Sequence, residues 1–312
     1  MTVDRWTGGE DYEGFIGRWS RPIADQFLEW LAIPAGRRWV DVGCGTGALS
    51  GSVLGQSDPD AVIGVDPSPS FVAHALSKLL DPRVRFVVGI ASELPIDDGW
   101  ADTVVSGLVL NFIPDLGSAL AEMVRVSTPG ATIAAYVWDY GGGEMQLLRR
   151  FWDAAADVDP RAAGLDERVR FPLCAPEPLR DAFLGAGLEA VTLLPIDIPT
   201  RFRDFDDYWT PFLSGIGPAP GYVATMNEAL RARLRDRLRA TLPIEADGSI
   251  DLIARAWAVR GTTPRTKAEV GLQAMTIGRP SHRSTLPARR GSPRRPRLPL
   301  PRAPSCLRPS RP

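Results

Sequence analysis

Short apolar runs alternate with helical patterns along the first half of the chain, and this alternation limits the possible folds more than any other feature. The predicted strands are residues 39–42, 61–65, 84–88, 102–106 and 132–138. Helical spacing of apolar residues follows them, at residues 48–54, 70–80, 117–126 and about 145–156. Strands that alternate with helices in this way predict a parallel sheet with helices on both faces.

Beyond residue 160 the alternation is less regular, but two more strands are predicted. Residues 188–194 form the sixth strand and residues 249–260 the seventh. The seventh follows a helical insertion at about 200–245, and a strand in that position is typical of an antiparallel edge strand. We therefore predict an α/β fold with a doubly wound, mostly parallel seven-stranded sheet that has an antiparallel edge strand.

The chain divides into four predicted segments. The first, residues 1–35, is a helical lead-in, because Trp19, Ile23 and Phe27 recur at near-helical spacing. The others are a ligand-binding core at 36–140, the rest of the sheet with its helical substrate-cap insertion at 141–260, and a basic tail at 261–312.

Charge is distributed very unevenly. Residues 261–312 contain eleven Arg and one Lys against one Glu, a net charge of +11, which leaves −12 for residues 1–260 because the whole chain carries −1. The acidic part is a poor candidate for nucleic-acid binding. The tail is rich in proline and arginine and has few large apolar side chains, so it cannot offset its ordering entropy and is predicted to be disordered.

Several common classes of protein are disfavoured by what the chain lacks. Its three cysteines, Cys44, Cys174 and Cys306, are widely spaced, and it has two histidines, so neither a disulfide framework nor a metal site is predicted. The longest apolar run, residues 131–138, is much shorter than the ~20 residues that cross a bilayer. The N-terminus has no signal-peptide pattern. We expect a cytoplasmic protein without a membrane span.

A glycine-rich loop directly follows the first predicted strand. Its glycines stand at alternate positions, Gly43, Gly45 and Gly47, and a helix begins after them. Glycines permit a tight turn and a close approach of the backbone to a ligand, and the N–H groups at the start of the helix face that ligand. This combination of strand, loop and helix predicts a binding site for a nucleotide-like molecule.

The loop also fits the dinucleotide fingerprint G-x-G-x-x-G/A through Gly43, Gly45 and Ala48, with Asp66 at a suitable distance for a ribose. A nicotinamide-dependent oxidoreductase is therefore one alternative. Asp41 argues against it, because a negative charge two residues before the first glycine would oppose a pyrophosphate. The same charge suits a ligand that carries a cation and no phosphate.

Residues 35–140 resemble the class I S-adenosylmethionine-dependent methyltransferases, in particular the ubiquinone/menaquinone-type branch that acts on small molecules. The resemblance is carried by four stretches: DVGCGTG at 41–47, GVDPS at 64–68, VGIASELP at 88–95 and VVSGLVLNF at 104–112. It implies a Rossmann-like fold, S-adenosylmethionine as the cofactor, and transfer of a methyl group to a small-molecule acceptor.

The resemblance also assigns residues to the cofactor. The acidic end of the second strand, Asp66, would accept hydrogen bonds from both ribose hydroxyls. A helical lid over the cofactor is common in the family, and Arg18 and Trp19 of the lead-in would contact the cofactor from it. The other positions implied are Asp41, Gly43, Cys44, Gly45, Gly47, Pro67, Ile90, Ala91, Ser106, Gly107 and Leu108.

One position departs from the family pattern. Where Ile90 stands, the family commonly has an Asp that accepts a hydrogen bond from the adenine amino group, and Ile90 cannot do so. The backbone N–H of Ala91 still reaches the ring in the implied arrangement. Loss of one hydrogen bond is worth ~1 kcal/mol, so the site is expected to be weakened. A noncatalytic binding protein with a degenerate site is a second alternative.

The residue patterns do not identify a catalytic base. Asp139 and Tyr140 follow the fifth strand near the expected rim of the site and are the two candidates. Residues 204–209 combine acidic and aromatic side chains, which favours either of two interpretations: a pocket for an apolar or aromatic acceptor, or a packed helix with solvated acids.

Overall fold

The computed structural model of the protein describes residues 17–215 and 217–265. The tail predicted to be disordered lies outside the described residues beyond position 265, as do residues 1–16 of the lead-in. Within the two described ranges, no helix is both long enough and apolar enough to cross a membrane.

The structure contains the seven predicted strands, with helices between them except between the third and the fourth. The strands are β1 (Arg38–Val42), β2 (Ala61–Asp66), β3 (Val84–Val88), β4 (Ala101–Gly107), β5 (Ser127–Trp138), β6 (Glu189–Phe202) and β7 (Ile250–Thr262). The helices of the sheet layers are α1 (Arg18–Leu31), α2 (Ala48–Gln56), α3 (Pro69–Lys78), α4 (Leu116–Arg125), α5 (Gln146–Val158), α6 (Glu167–Arg170) and α7 (Pro176–Gly185). The insertion between β6 and β7 contains α8 (Phe205–Trp209), α9 (Pro218–Thr225) and α10 (Glu228–Thr241).

The strands form one seven-stranded sheet in the order β3-β2-β1-β4-β5-β7-β6. Neighbours from β3 to β5 are parallel, whereas β7 is antiparallel to both β5 and β6. The predicted fold class is thus confirmed. The predicted seventh strand, β7, is antiparallel as expected, but it lies between β5 and β6 and is therefore not at the edge of the sheet. The outermost strand, β6, contains Pro195 and Pro199, whose missing N–H groups are tolerated at the edge of a sheet.

The order of the strands reverses between β1 and β4, and this reversal decides where a ligand can bind. The chain leaves β1 toward β2 and β3 on one side and returns to β4 and β5 on the other. Loops that diverge in this way open a crevice at the carboxyl ends of the strands. The central strands are buried on both faces, as shown by the burial of β1 after its first residue, and this explains their apolar composition.

The insertion packs on α5 through aromatic side chains. The ring of Phe212 stacks on Phe151 with centroids 4.4 Å apart and planes 9° apart. The hydroxyl of Tyr208 donates to the carbonyl of Leu147 at 2.9 Å. All three aromatic side chains are fully buried, so the insertion shares the hydrophobic core of the sheet.

Phe212→Ala is expected to lower the free energy of unfolding by about 3–5 kcal/mol, because it leaves a cavity against Phe151. Leu213→Ala is the matched control, because Leu213 is next to Phe212 in the chain but is 49% exposed. Loss of the Leu213 side chain is expected to change the free energy of unfolding by about 0.5 kcal/mol or less. Urea denaturation measures both. Equal effects of the two substitutions would contradict the packing of the insertion.

Candidate functional site

A cleft of about 580 Å³ opens at the carboxyl ends of β1 to β5. Its walls are residues 65–68 after β2, residues 89–92 after β3, and residues 108–109 and 112–115 after β4. Gly43, Phe71, Trp138 and Tyr140 complete the lining. The cleft therefore lies where the reversal of strand order opens the sheet, which is the usual ligand site of this architecture.

The glycine-rich loop is fastened to the end of β2. The backbone N–H groups of Gly43 and Cys44 both donate to the carbonyl of Val65, at 2.7 and 3.1 Å. Gly43 has a φ of +76°, and a Cβ there would lie 2.4 Å from a methyl carbon of Val109. Only glycine fits this position, because both the left-handed backbone and the contact with the loop after β4 exclude a side chain.

Asp66 lies at the bottom of the cleft and is held by backbone groups on both sides. One carboxylate oxygen accepts from the N–H of Gly45 at 2.9 Å and the other from the N–H of Ser68 at 2.8 Å. The side chain is largely buried, and burial raises the pKa of its carboxyl above the usual value. These bonds fix the direction of the carboxylate, which remains part of the cleft wall.

Asp41 is a second buried carboxylate, two residues before Gly43. Its Oδ2 atom accepts from the hydroxyl of Ser50 at 2.7 Å, whereas its Oδ1 atom is buried without a hydrogen-bond partner among the described residues. Burial raises the pKa of Asp41 to about 7. A negative charge buried behind a glycine-rich loop favours a ligand that carries a cation.

The loop after β4 turns sharply to form the opposite wall. Leu108 has a φ of +63°, a left-handed conformation that costs a residue with a Cβ roughly 1–3 kcal/mol. Its N–H donates to the carbonyl of Tyr136 at 2.8 Å, which holds the turn against β5. The turn brings Phe112 and Ile113 to the cleft beside Trp138.

Six of the residues predicted to bind the cofactor line the cleft together: Gly43, Asp66, Pro67, Ile90, Ala91 and Leu108. Ile90 is 50% exposed, which is unusual for a large apolar side chain and consistent with a position on the wall of a binding site.

Six other predicted residues, including Asp41, support the cleft from behind without lining it. Cys44 packs in a small apolar cluster with Phe86, and burial raises the pKa of its thiol well above the usual value. The hydroxyl of Ser106 is buried and donates to the carbonyl of Val42 at 2.8 Å, which ties β4 to β1. The remaining members of this set are Gly45, Gly47 and Gly107.

Arg18 and Trp19 lie away from the cleft, in contrast to the prediction. The guanidinium of Arg18 forms an ion pair with Asp207 at 3.0 Å and lies over the rings of Trp19 and Phe202. Their helix, α1, packs against α2, β6 and β7. The described part of the lead-in therefore joins the insertion to the sheet.

The two candidates for a catalytic base differ in position. Tyr140 lines the cleft. Asp139 is buried behind it and accepts from the N–H of Gly142 at 2.7 Å, so its carboxylate stabilises the turn after β5.

Of the two interpretations of residues 204–209, the structure agrees with helix packing, since none of these residues lines the cleft. Phe205, Tyr208 and Trp209 are buried in the core of the insertion, and Asp204 begins α8 by accepting from the N–H of Asp207 at 2.8 Å. The helix α8 is amphipathic, and its buried aromatic face packs on the sheet.

Phe112, Ile113 and Trp138 are cleft residues that we did not assign to the site from the sequence. Strand register is the signal that identifies them, because Gly107 of β4 pairs with Tyr136 of β5. The residues that follow each strand are then neighbours at one edge of the sheet. These residues can be assigned to the cleft only when the pairing of β4 with β5, two strands that are distant in sequence, is known.

Comparisons with known proteins agree with this geometry. A family model described as a methyltransferase domain matches residues 40–135. A demethylmenaquinone methyltransferase from Roseiflexus sp. is 34% identical over 176 residues, which cover 52% of this chain and 71% of that protein. An uncharacterized methyltransferase from Mycobacterium bovis is 29% identical over 247 residues, covering 78% of this chain and 89% of that protein. The solved structure of the YcgJ protein from Bacillus subtilis shares the fold, with a TM-score of 0.52 at 16% identity over 78% of this chain and 99% of that one.

Asp41→Asn is expected to stabilise the protein at about pH 8 and to have little effect near pH 4. The pKa of Asp41 is about 7 in the folded state against 3.8 in the unfolded state, so the folded protein binds the proton more tightly. The contribution of Asp41 to stability is therefore complete below about pH 4 and is lost as the pH rises to about 7. At about pH 8 the variant should be more stable by roughly 2–4 kcal/mol.

Urea denaturation across this pH range measures the difference in unfolding free energy between variant and parent. Asp236→Asn removes an exposed carboxylate on α10 and is expected to give a difference that is small at every pH. If the difference in unfolding free energy between Asp41→Asn and the parent does not change with pH, burial does not raise the pKa of Asp41.

Proposed function

The chain belongs to the class I S-adenosylmethionine-dependent methyltransferases, and on this basis we propose that the cleft at the ends of β1 to β5 holds both the cofactor and a small-molecule acceptor. The enzyme transfers a methyl group from S-adenosylmethionine to that acceptor. This chain carries two of the family's sequence patterns in the cleft region, the loop at 41–47 and the acidic end of β2.

The observation that carries the proposal is the arrangement of two carboxylates around the glycine-rich loop. Asp66 presents its carboxylate to the cleft, and Asp41 keeps a buried oxygen without a partner among the described residues. Among the described residues, those that line the cleft include no Lys, Arg or His. This charge pattern fits a ligand with a diol and a positive charge, and it opposes the pyrophosphate of a nicotinamide cofactor.

Each carboxylate has a separate role in the proposed complex. Asp66 accepts hydrogen bonds from the ribose hydroxyls, since its oxygens are already oriented by Gly45 and Ser68. Asp41 lies behind the loop and does not line the cleft, so its carboxylate favours the positively charged methionine end through its charge and not by contact. Gly43 permits the backbone to approach the ligand closely.

When it is bound, S-adenosylmethionine supplies an electrophilic methyl group on a sulfonium. The residues of the cleft then align the acceptor with that group, and such alignment contributes about 7–11 kcal/mol in favourable cases. The carboxylate of Asp139 accepts a hydrogen bond from the N–H of Gly142 and does not line the cleft. An acceptor that loses its proton to water requires no positioned base, and Tyr140 is the candidate for a hydrogen bond to it.

Asp66→Asn is expected to weaken binding of S-adenosylhomocysteine by about 1–3 kcal/mol, or roughly five- to a hundredfold, because one charge-assisted acceptor is replaced by an amide donor. Calorimetric titration of the full chain measures the affinity. Asp236→Asn is the matched control on the exposed face of α10 and should bind as the parent does. Unchanged affinity of the Asp66 variant would remove this residue from the cofactor site.

Ile90→Asp is expected to strengthen binding of S-adenosylhomocysteine roughly fivefold, because the Asp that other members of the family commonly have at this position accepts a hydrogen bond from the adenine amino group. Val88→Asp is the control: Val88 is 52% exposed, similar to Ile90 at 50%, but does not line the cleft. The same titration compares the two variants. Equal or weaker binding by the Ile90 variant would show that the adenine ring does not contact this wall.

A further inference from the structure

One wall of the cleft belongs to a short loop, residues 89–96, that lies between β3 and β4. Ile90 and Ala91 of this loop line the cleft together with Gly43 and Asp66, and we call these four residues the cofactor end of the cleft. No helix connects β3 to β4 in this described part of the chain. A loop of this kind keeps a fixed position only when other contacts hold it.

The first half of the loop is closed by its own backbone. The N–H of Glu93 donates to the carbonyl of Ile90 at 3.2 Å, and the N–H of Gly89 donates to the carbonyl of Asp66 at 3.1 Å. A Cβ on Gly89 would lie 2.9 Å from the Cδ of Pro95, so the two ends of the loop are in close contact. The position of Ile90 therefore depends on how the ends of the loop are held.

Two side chains of α4, Glu122 and Arg125, hold the second half of the loop through its backbone. A carboxylate oxygen of Glu122 accepts from the N–H of Leu94 at 2.8 Å. The guanidinium of Arg125 donates to the carbonyls of Leu94 and Ile96, each at 3.0 Å. Leu94 is thus bound by the pair at both its N–H and its carbonyl, directly after the turn that contains Ile90.

Glu122 and Arg125 also orient each other. Two nitrogens of the guanidinium donate to the two carboxylate oxygens of Glu122 at 2.6 and 2.7 Å, a forked geometry that a lysine cannot reproduce. The guanidinium holds the pKa of the Glu122 carboxyl below its usual value, so both side chains are charged at neutral pH. A partly exposed ion pair adds little stability by itself. The distinctive feature of this pair is therefore its set of bonds to the loop backbone.

We propose that Glu122 and Arg125 are positioning residues for the adenine ring of the cofactor. They fix the loop, and the loop places Ile90 and Ala91 against the ring. Neither side chain of the pair lines the cleft, so both act through the loop backbone. The ribose and methionine parts bind elsewhere, at Asp66 and the glycine-rich loop, so a change in the pair affects the adenine part alone. This inference rests on the proposed function, since it concerns the cofactor end of the same cleft.

Two ligands that differ in the adenine ring separate positioning from a general effect on the fold. S-adenosylhomocysteine contains adenine, whereas S-ribosylhomocysteine has a hydroxyl group in its place. Calorimetric titration of the full chain measures the first affinity, and competition against the first ligand measures the second. Arg125→Lys keeps the charge but cannot bond both carbonyls of the loop. We expect it to weaken binding of S-adenosylhomocysteine about five- to tenfold and binding of S-ribosylhomocysteine less than about twofold.

Glu122 provides a second pair of variants. Glu122→Gln keeps an oxygen that accepts from the N–H of Leu94, so it should bind S-adenosylhomocysteine more tightly than Glu122→Ala, which removes the acceptor. Arg237→Lys is the matched control, because Arg237 on α10 also donates from its Nε to a carboxylate, that of Asp157, at 2.8 Å, but on the exposed surface. It should bind both ligands as the parent does.

Hydrogen exchange of the free protein tests the loop without a ligand. The amides of residues 89–96 should exchange faster in Arg125→Lys than in the parent, because the guanidinium no longer holds the loop. Unchanged exchange would show that the pair does not fix the loop. This measurement also decides the role of the pair if S-ribosylhomocysteine binds too weakly to compete.

Two binding results would overturn the proposal: equal weakening of both ligands in Arg125→Lys, which means a general effect on the fold, or unchanged binding of S-adenosylhomocysteine. If Arg125→Lys does not fold, the Glu122 variants decide, and equal affinities of Glu122→Gln and Glu122→Ala would overturn it. A parent protein that does not bind S-adenosylhomocysteine contradicts the proposed function instead, while hydrogen exchange still reports whether the pair fixes the loop.

Discussion

The attachment of the loop after β1 to the end of β2 is the interaction on which the rest of the cleft depends. The N–H groups of Gly43 and Cys44 share the carbonyl of Val65, and the N–H of Gly45 donates to the carboxylate of Asp66. Backbone N–H groups that are removed from water need such partners. The same hydrogen bonds satisfy the backbone N–H groups of the loop and orient the carboxylate of Asp66. The wall of the cleft therefore depends on the local fold of the loop.

The carboxylate of Asp41 adds a negative charge behind the glycine-rich loop. One of its oxygens is buried without a hydrogen-bond partner among the described residues. Asp41 does not line the cleft, so its charge acts on a bound ligand through space and not by contact. A negative charge at this place favours a ligand that carries a cation over one that carries a phosphate.

The alternating architecture was predicted from the sequence because it depends on residues close together in the chain, and six of the residues assigned to the cofactor lie together in the cleft. Asp66 and the loop at 41–47 are adjacent to their own strands, and the strand ends place them at one edge of the sheet. The position of Arg18 away from the cleft was not predicted, because its partner, Asp207, comes from an insertion far along the chain. For residues 204–209 the sequence left two interpretations open, because an apolar helix face has the same composition whether it meets a ligand or the core.

The sequence by itself determined that this chain builds a doubly wound sheet with a glycine-rich loop and an acidic second strand, because periodicity and motif spacing are local properties. Only the tertiary structure decided which side chains face the cleft. The pairing of Gly107 with Tyr136 brings Phe112 and Trp138 together, and the reversal of strand order between β1 and β4 opens the space between them and the cofactor end. Such neighbours depend on the register of strands that are distant in sequence, and no local pattern contains that information.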